Sequence, residues 1–381
     1  MGRTFWIKDY ENYVTLAIGI ILAALLRFSV REFESGDFRS FLEPWYDFIS
    51  QHGGFGALAY KFSNYTPPYL YLMVVVYYLL SPLSKVFAIK LISIVFDFIC
   101  AFFVYKIVRL KYPAGIRPSF AFLAILFAPT VFLNSAFWGQ SDIIYTTGLV
   151  ACLYFLTTRR ETLAFIAFGF AFAFKIQAIF ITPFLLILLL KQTVSWKSFF
   201  VVPAVYIVAI LPAWVIGRPL VDLFMIYFDQ ADYYRRLAAN VPNLYQWIPN
   251  ELYNIFYPAG LIWTLAIILM FSAGVYKSKE KITTNTMIQL ATISVVFMPY
   301  FLPKMHDRYF FPADVISIVF GFYFPQYFYI PIVVGMISLF SYFPFLFGRE
   351  VIPLSLLAIV PIVIIVILLH HLNSTLYSEQ A

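Results

Sequence analysis

Long apolar runs broken by short polar intervals fill most of this chain. Such runs predict helices, because about 20 apolar residues cross a bilayer core of about 30 Å with every backbone group bonded inside its own segment. We place about twelve spans, at 13–30, 88–109, 118–134, 142–157, 161–174, 176–190, 199–217, 255–274, 285–302, 309–323, 326–346 and 351–371. The first run is read as a retained span: Arg27 follows it directly and no small-residue cleavage site is evident. No Gly/Ser linker or internal repeat appears, so residues 1–381 read as one domain.

The pattern changes over residues 31–87, which read as one external loop. Phe38, Phe41, Leu42, Trp45, Phe48 and Ile49 recur at helical spacing, with Arg39, Glu43 and Asp47 four apart on the other face. This predicts an amphipathic helix lying on the membrane, apolar side down, and a solvated polar face. The apolar run Tyr69–Leu80 is too short to cross untilted. It predicts a short helix, opened by Pro67-Pro68, that dips into the interface. Residues 218–254 form a second external segment, where Asp222, Asp229, Asp232, Tyr233, Tyr234, Arg235, Arg236 and Trp247 suggest surface helices capping the same side.

Composition supports an all-α polytopic membrane protein: 62% of residues are hydrophobic and only 12% charged, with mean hydropathy +0.84, where a soluble domain carries about a quarter charged. The net charge of +7 does not indicate nucleic acid, since the basic residues are scattered in short loops. One face collects Arg3, Lys8, Lys106, Arg109, Lys111, Arg117, Arg159, Arg160, Lys191, Lys197, Lys277, Lys279 and Lys281, against Asp9, Glu11, Glu161, Glu280 and Glu379. By the positive-inside rule that face is cytoplasmic. Cys100 and Cys152 both lie in apolar segments, which implies neither a disulfide nor a cysteine metal site. No HExxH, CxxC, phosphate-binding glycine loop or Gly-x-Ser-x-Gly is present, against zinc proteases, ATPases and serine hydrolases.

Five polar motifs fall at the external ends of the spans: Gly36-Asp37-Phe38-Arg39, Tyr65-Thr66-Pro67-Pro68, Trp138-Gly139-Gln140-Ser141-Asp142, Phe174-Lys175-Ile176-Gln177 and Lys304-Met305-His306-Asp307-Arg308. Asp37 is either the N-cap of the helix it precedes or a general base. Asp142 caps the next span, or with Trp138 and Gln140 holds sugar hydroxyls. Lys304, His306 and Arg308 put three donors within one short stretch, suited to a phosphate or to snorkelling at the interface. Lys175, in apolar surroundings, needs a partner such as phosphate or a carboxylate. Asp97, inside a span, suits helix-to-helix hydrogen bonding or a transport role.

At these motifs the chain resembles the GT-C integral-membrane glycosyltransferases that use polyprenol-phosphate sugars. Gly36-Asp37-Phe38, Tyr65-Thr66-Pro67-Pro68, Phe174-Lys175-Ile176-Gln177 and Met305-His306-Asp307-Arg308 are similar, in the same order, to motifs of the enzymes that glucosylate lipid-linked oligosaccharide. Phe137-Trp138-Gly139-Gln140-Ser141-Asp142 and His306-Asp307-Arg308-Tyr309-Phe310-Phe311-Pro312 look more like prokaryotic relatives of the second mannosyltransferase of GPI-anchor synthesis. The resemblance implies a GT-C bundle whose first external loop carries two juxtamembrane helices and a catalytic aspartate, matching Asp37. It further implies inverting transfer of a hexose, mannose favoured over glucose, onto a lipid-linked glycan, polysaccharide or glycolipid. Lys304, His306, Arg308 and Lys175 would hold the donor phosphate; Asp142, Gln140, Trp138, Tyr65, Gln177 and Arg39 would hold sugar or acceptor. A lipid monophosphate leaving group needs cations rather than a chelated metal, so no metal or other cofactor is expected. Phe38 and Arg39 follow Asp37 where some members carry paired acids. The expected setting is a prokaryotic plasma membrane with an external site, the protein monomeric among lipids. A secondary transporter, which would use Asp97 and Lys175, and a non-catalytic scaffold are the alternatives.

Overall fold

The computed structural model describes residues 2–377, without the side chains of 2–11 and 231–233. The side chains of Arg3, Lys8, Asp9, Glu11, Asp232 and Tyr233, and the whole of Glu379, therefore lie outside the described residues. The protein is all-α, with 79% of residues helical. In order, the helices are α1 Gly2–Ser29, α2 Glu43–Gln51, α3 Pro67–Leu79, α4 Lys85–Lys111, α5 Arg117–Phe127, α6 Pro129–Phe132, α7 Asp142–Thr157, α8 Glu161–Phe174 and α9 Thr182–Leu190. Then follow α10 Val201–Ile216, α11 Leu220–Tyr233, α12 Tyr253–Lys277, α13 Thr284–Phe301, α14 Phe311–Tyr323, α15 Tyr329–Phe347, α16 Leu354–Leu357 and α17 Ile359–Tyr377.

Among the described residues, six helices are long and apolar enough to cross a membrane: Asn12–Ser29, Lys85–Lys111, Trp196–Ile216, Asn250–Lys277, Pro325–Phe347 and Leu354–Tyr377. A seventh crossing is available if Arg117–Phe127 and Pro129–Trp138, bent by 47°, form one broken span. The break has a local cause: Pro129 forces Ala128 out of helical geometry, to ψ 122. Among the remaining expected spans, four are helices of 10–17 residues, including Asp142–Thr157 and Glu161–Phe174. The fifth, α13, is 18 residues long but carries Asn285, Gln289, Thr292 and Ser294. Ile18, Ile21, Leu22 and Leu25 on α1 are each more than half exposed, an apolar surface that suits lipid and not water.

The chain divides into two compact units, the first formed by Met1–Tyr154, Leu163–Ile176 and Val201–Ala231, the second by Phe155–Thr162, Gln177–Phe200 and Asp232–Ala381. In the first unit, helices approach closely at small residues, as lipid-embedded helices must when apolar burial alone gives no drive to associate. A Cβ on Gly148 of α7 would stand 2.8 Å from the Ala167 carbonyl oxygen of α8. The polar segment 218–254 begins here as α11, whose Asp229 pairs with Lys61 at 2.7 Å and whose Gln230 donates to the Asn64 carbonyl. This ties it to the first loop.

One expectation is corrected. The helix that starts at Gly36 and runs through a π-helical turn, Phe38–Leu42, into α2 does not turn its apolar side to lipid. Phe38, Leu42, Trp45 and Ile49 are buried at 0–7% exposure, with α3 and the 3-10 turn Gly54–Ala59 among the elements packed on α2. An amphipathic stripe looks the same in sequence whether protein or membrane covers it; here α3 supplies the cover, with Tyr69, Leu70, Met73 and Val74 equally buried. The polar face is also engaged: Glu43 and Asp47 both meet Lys85, at 3.2 and 2.6 Å.

In the second unit α13 is the buried centre, packed by α9, α14 and α17. Two residues of parallel pairing, β1 Ala238–Ala239 with β2 Met305–His306, fix the segment that follows α13.

Candidate functional site

Helix α4 builds the site's floor. Lys90, Ser93 and Asp97 fall at helical spacing on one face of an otherwise apolar helix, and all three are buried. The Lys90 ammonium donates to the carbonyls of Val30 and Phe33, at 3.0 and 2.5 Å, holding the chain as it leaves α1. Ser93 Oγ donates to the Gln140 carbonyl at 2.6 Å. Asp97 Oδ2 accepts from Arg27 Nε at 2.7 Å and from Ser135 Oγ at 2.6 Å, so this mid-span acid is an internal ion pair.

On that floor the first and third motifs meet. Asp37 Oδ2 accepts from the Trp138 indole N–H at 2.9 Å and from Gln140 Nε2 at 2.5 Å. The donors sit two residues apart because a second π-helical turn, Leu133–Trp138, ends at Gly139, whose φ of +82° allows the sharp reversal. Asp37 does not cap its helix. That role belongs to Ser35, whose Oγ accepts from the Phe38 N–H at 3.1 Å while donating to the Trp138 carbonyl at 2.7 Å. The carboxylate of Asp37 is thereby left free of the helix start, half-buried. Among the described residues its Oδ1 accepts no hydrogen bond, and no ion pair engages it.

The second and fourth motifs join beside it. Thr66 Oγ1 donates to the Phe174 carbonyl at 3.1 Å, and Lys175 lies 5.2 Å from the centre of the Tyr65 ring. Asp142 is fully buried with both oxygens taken, Oδ1 by Lys175 Nζ at 2.7 Å and Oδ2 by Asn134 Nδ2 at 2.9 Å. Removing one member of such a buried pair costs about 3–5 kcal/mol. Of the two partners open to Lys175 on sequence grounds, phosphate or carboxylate, this structure has the carboxylate. With both oxygens accepting inside the protein at 0% exposure, Asp142 is a buried partner of Lys175 and not an exposed acceptor for a sugar hydroxyl. Arg39 is exposed and bonded to Glu34 at 2.9 Å. Gln177 lies in the second unit, half-buried on the 3-10 turn Ile176–Ile181.

The fifth motif lies in the second unit. Lys304 takes a left-handed backbone, φ 66°, and its N–H donates to the Leu237 carbonyl at 2.7 Å as β2 begins. Its ammonium stands 5.7 and 5.5 Å from the ring centres of Tyr253 and Tyr257, two stacked rings of α12. The His306 ring lies 5.3 Å from each of Tyr234 and Tyr309. Arg308 Nε is 3.6 Å from Asp307 Oδ1. Among the described residues there is no group of three or more His, Cys, Asp or Glu arranged to hold a metal ion.

The sequence reading includes Asp97 but omits Ser35, Asn134, Lys90 and Ser93. Lys90 carries the signal that drew attention to Asp97, an ionisable residue within an apolar run. No protein-family model matches this chain, and no curated protein matches it significantly.

Proposed function

We propose that this protein is an inverting GT-C-type glycosyltransferase with about twelve membrane spans, moving a hexose from a polyprenyl phosphate to a hydroxyl of a lipid-linked glycan, polysaccharide or glycolipid. Its site would face the outside of a prokaryotic plasma membrane, with mannose favoured as the sugar. The observation that carries this reading is the state of Asp37: one oxygen is anchored by two neutral donors, the other is open. That is what a general base needs, fixed aim and a free lone pair. Three of the four motifs that resemble the family's in order are also linked, with Trp138-Gly139-Gln140-Ser141-Asp142, inside the first unit: Asp37 to Trp138 and Gln140, Thr66 to Phe174, and Lys175 to Tyr65 and Asp142.

The acceptor O–H would give its proton to Asp37 Oδ1 as its oxygen attacks C1 of the sugar. The bond from C1 to the phosphate oxygen breaks, and its electron pair stays on the phosphate. The added phosphate charge is the load that the resemblance assigns to Lys304, His306 and Arg308. Lys175 would act from its place beside Tyr65, neutralised by Asp142. A transporter would draw on Asp97 and Lys175, yet each is held in an ion pair at 2.7 Å.

The test supplies purified protein with a panel of polyprenyl-phosphate hexoses and candidate lipid-linked acceptors. Turnover with at least one donor is expected. Absence of turnover with every donor, together with no such lipid copurifying by mass spectrometry, would overturn the proposal.

A further inference from the structure

In the second unit a cavity of about 710 Å³ opens among the loop before α8, the end of α9 and the link between α12 and α13. Its wall carries Arg159, Lys191, Lys279 and Lys281 against Glu161 and Glu280. Two of these six hold the wall together. Glu161 Oε1 accepts from the Ser195 N–H at 2.6 Å and from Ser198 Oγ at 2.5 Å, while Lys191 Nζ donates to the carbonyl and hydroxyl oxygens of Ser278. The side chains of Arg159, Lys279 and Lys281 have no hydrogen-bond or ion-pair partner among the described residues, and only Glu280 opposes them. Three cations against one carboxylate leave a cavity that attracts anions.

The backbone points the same way. Arg159 and Gln192 end α7 and α9 in left-handed conformations, φ 59° and 54°, the position where glycine is the easiest fit. Both place a long polar side chain on the cavity wall instead. The N-terminus of α13 also opens there, beside Thr283 and Thr284, adding donors for negative charge. Lys279 and Lys281 follow closely on Asn250–Lys277, a helix long and apolar enough to cross a membrane, so the cavity lies at the end of a candidate span. A basic cluster just beyond a span attracts anionic headgroups.

We propose that this cavity binds the phosphate-bearing headgroup of an anionic phospholipid. It is independent of the glycosyl-transfer reading, since it uses none of those residues. The test reconstitutes the full chain in nanodiscs of phosphatidylcholine doped with phosphatidylglycerol and counts retained phosphatidylglycerol by native mass spectrometry. The variant Arg159→Gly/Lys279→Gln/Lys281→Gln keeps the left-handed turn and removes the three charges. It should lower apparent affinity about 100-fold, from roughly five-fold per surface cation, with an unchanged unfolding midpoint. Lys197→Gln/Lys277→Gln, which removes charge outside the cavity, should retain the lipid. Equal retention by the triple variant overturns the site, and equal loss by the control variant reduces it to general surface attraction. Displacement by millimolar inorganic phosphate, with no preference for phosphatidylglycerol over phosphatidylcholine, overturns the lipid assignment in favour of a soluble ligand.

Discussion

Asp37 and Asp142 lie on one scaffold, joined by the short Trp138–Asp142 stretch, and differ in what the fold leaves them free to do. Asp142 is fully buried, and its two oxygens are spent on Lys175 and Asn134. Asp37 is half-buried, and only one of its oxygens is spent, on neutral donors. A carboxylate paired with a cation inside a protein serves the structure; one with an open lone pair within reach of solvent can take a proton. In sequence the two are alike, an acid near the start of a helix.

The largest test of that contrast is Asp37→Asn. The amide oxygen can still accept from Trp138 and Gln140, so the fold should hold while the base is lost. Turnover should fall about 10²–10⁴-fold, with the thermal midpoint in detergent unchanged. Near-normal turnover would end the assignment of Asp37 as base.

Asp142→Asn should do the reverse. It strands a Lys175 side chain that is only 13% exposed, at a cost of about 3–5 kcal/mol. Denaturant unfolding of the single variant should show that loss, and Asp142→Leu/Lys175→Met should recover most of it. A single variant as stable as the parent would mean that the pair does not hold the fold. Between these lies Trp138→Phe, which removes one donor from Asp37 and keeps the aromatic bulk. Hydrogen bonds to charged groups contribute about 1.5–3 kcal/mol, so kcat should fall roughly 10- to 100-fold with KM little changed. A change confined to KM would make Trp138 a substrate contact instead.

Much of the helical layout was legible because an apolar run is a one-dimensional signal, and its length alone decides whether it can cross. Among the described residues six of the expected spans meet that test; α7, α8 and α14 are shorter, each bounded at one end by a polar motif: α7 and α14 start where one stops, and α8 stops where one starts. The side on which Phe38, Leu42, Trp45 and Ile49 would find cover was not legible, since lipid and the face of α3 are equally apolar. Nor was the partner of Lys175, because Asp142 is 33 positions away and only the fold brings them together. The spacing of Lys90, Ser93 and Asp97 was legible all along: a polar stripe on an apolar helix marks the face that must meet other polar groups.

The smallest effect separates cap from base most cleanly. Ser35 Oγ accepts from the Phe38 N–H and donates to the Trp138 carbonyl, so it both starts the helix and fastens it to the turn that holds Asp37. Ser35→Ala should cost about 0.5–2 kcal/mol of stability, the usual loss for an N-cap, and lower turnover modestly by loosening Asp37 against its donors. Ser35→Thr should restore stability, since a threonine hydroxyl caps nearly as well. If Ser35→Ala left stability untouched while Asp37→Ala brought a cap-sized loss and no loss of turnover, Asp37 would be the helix's cap, and its free oxygen would be an accident of the fold.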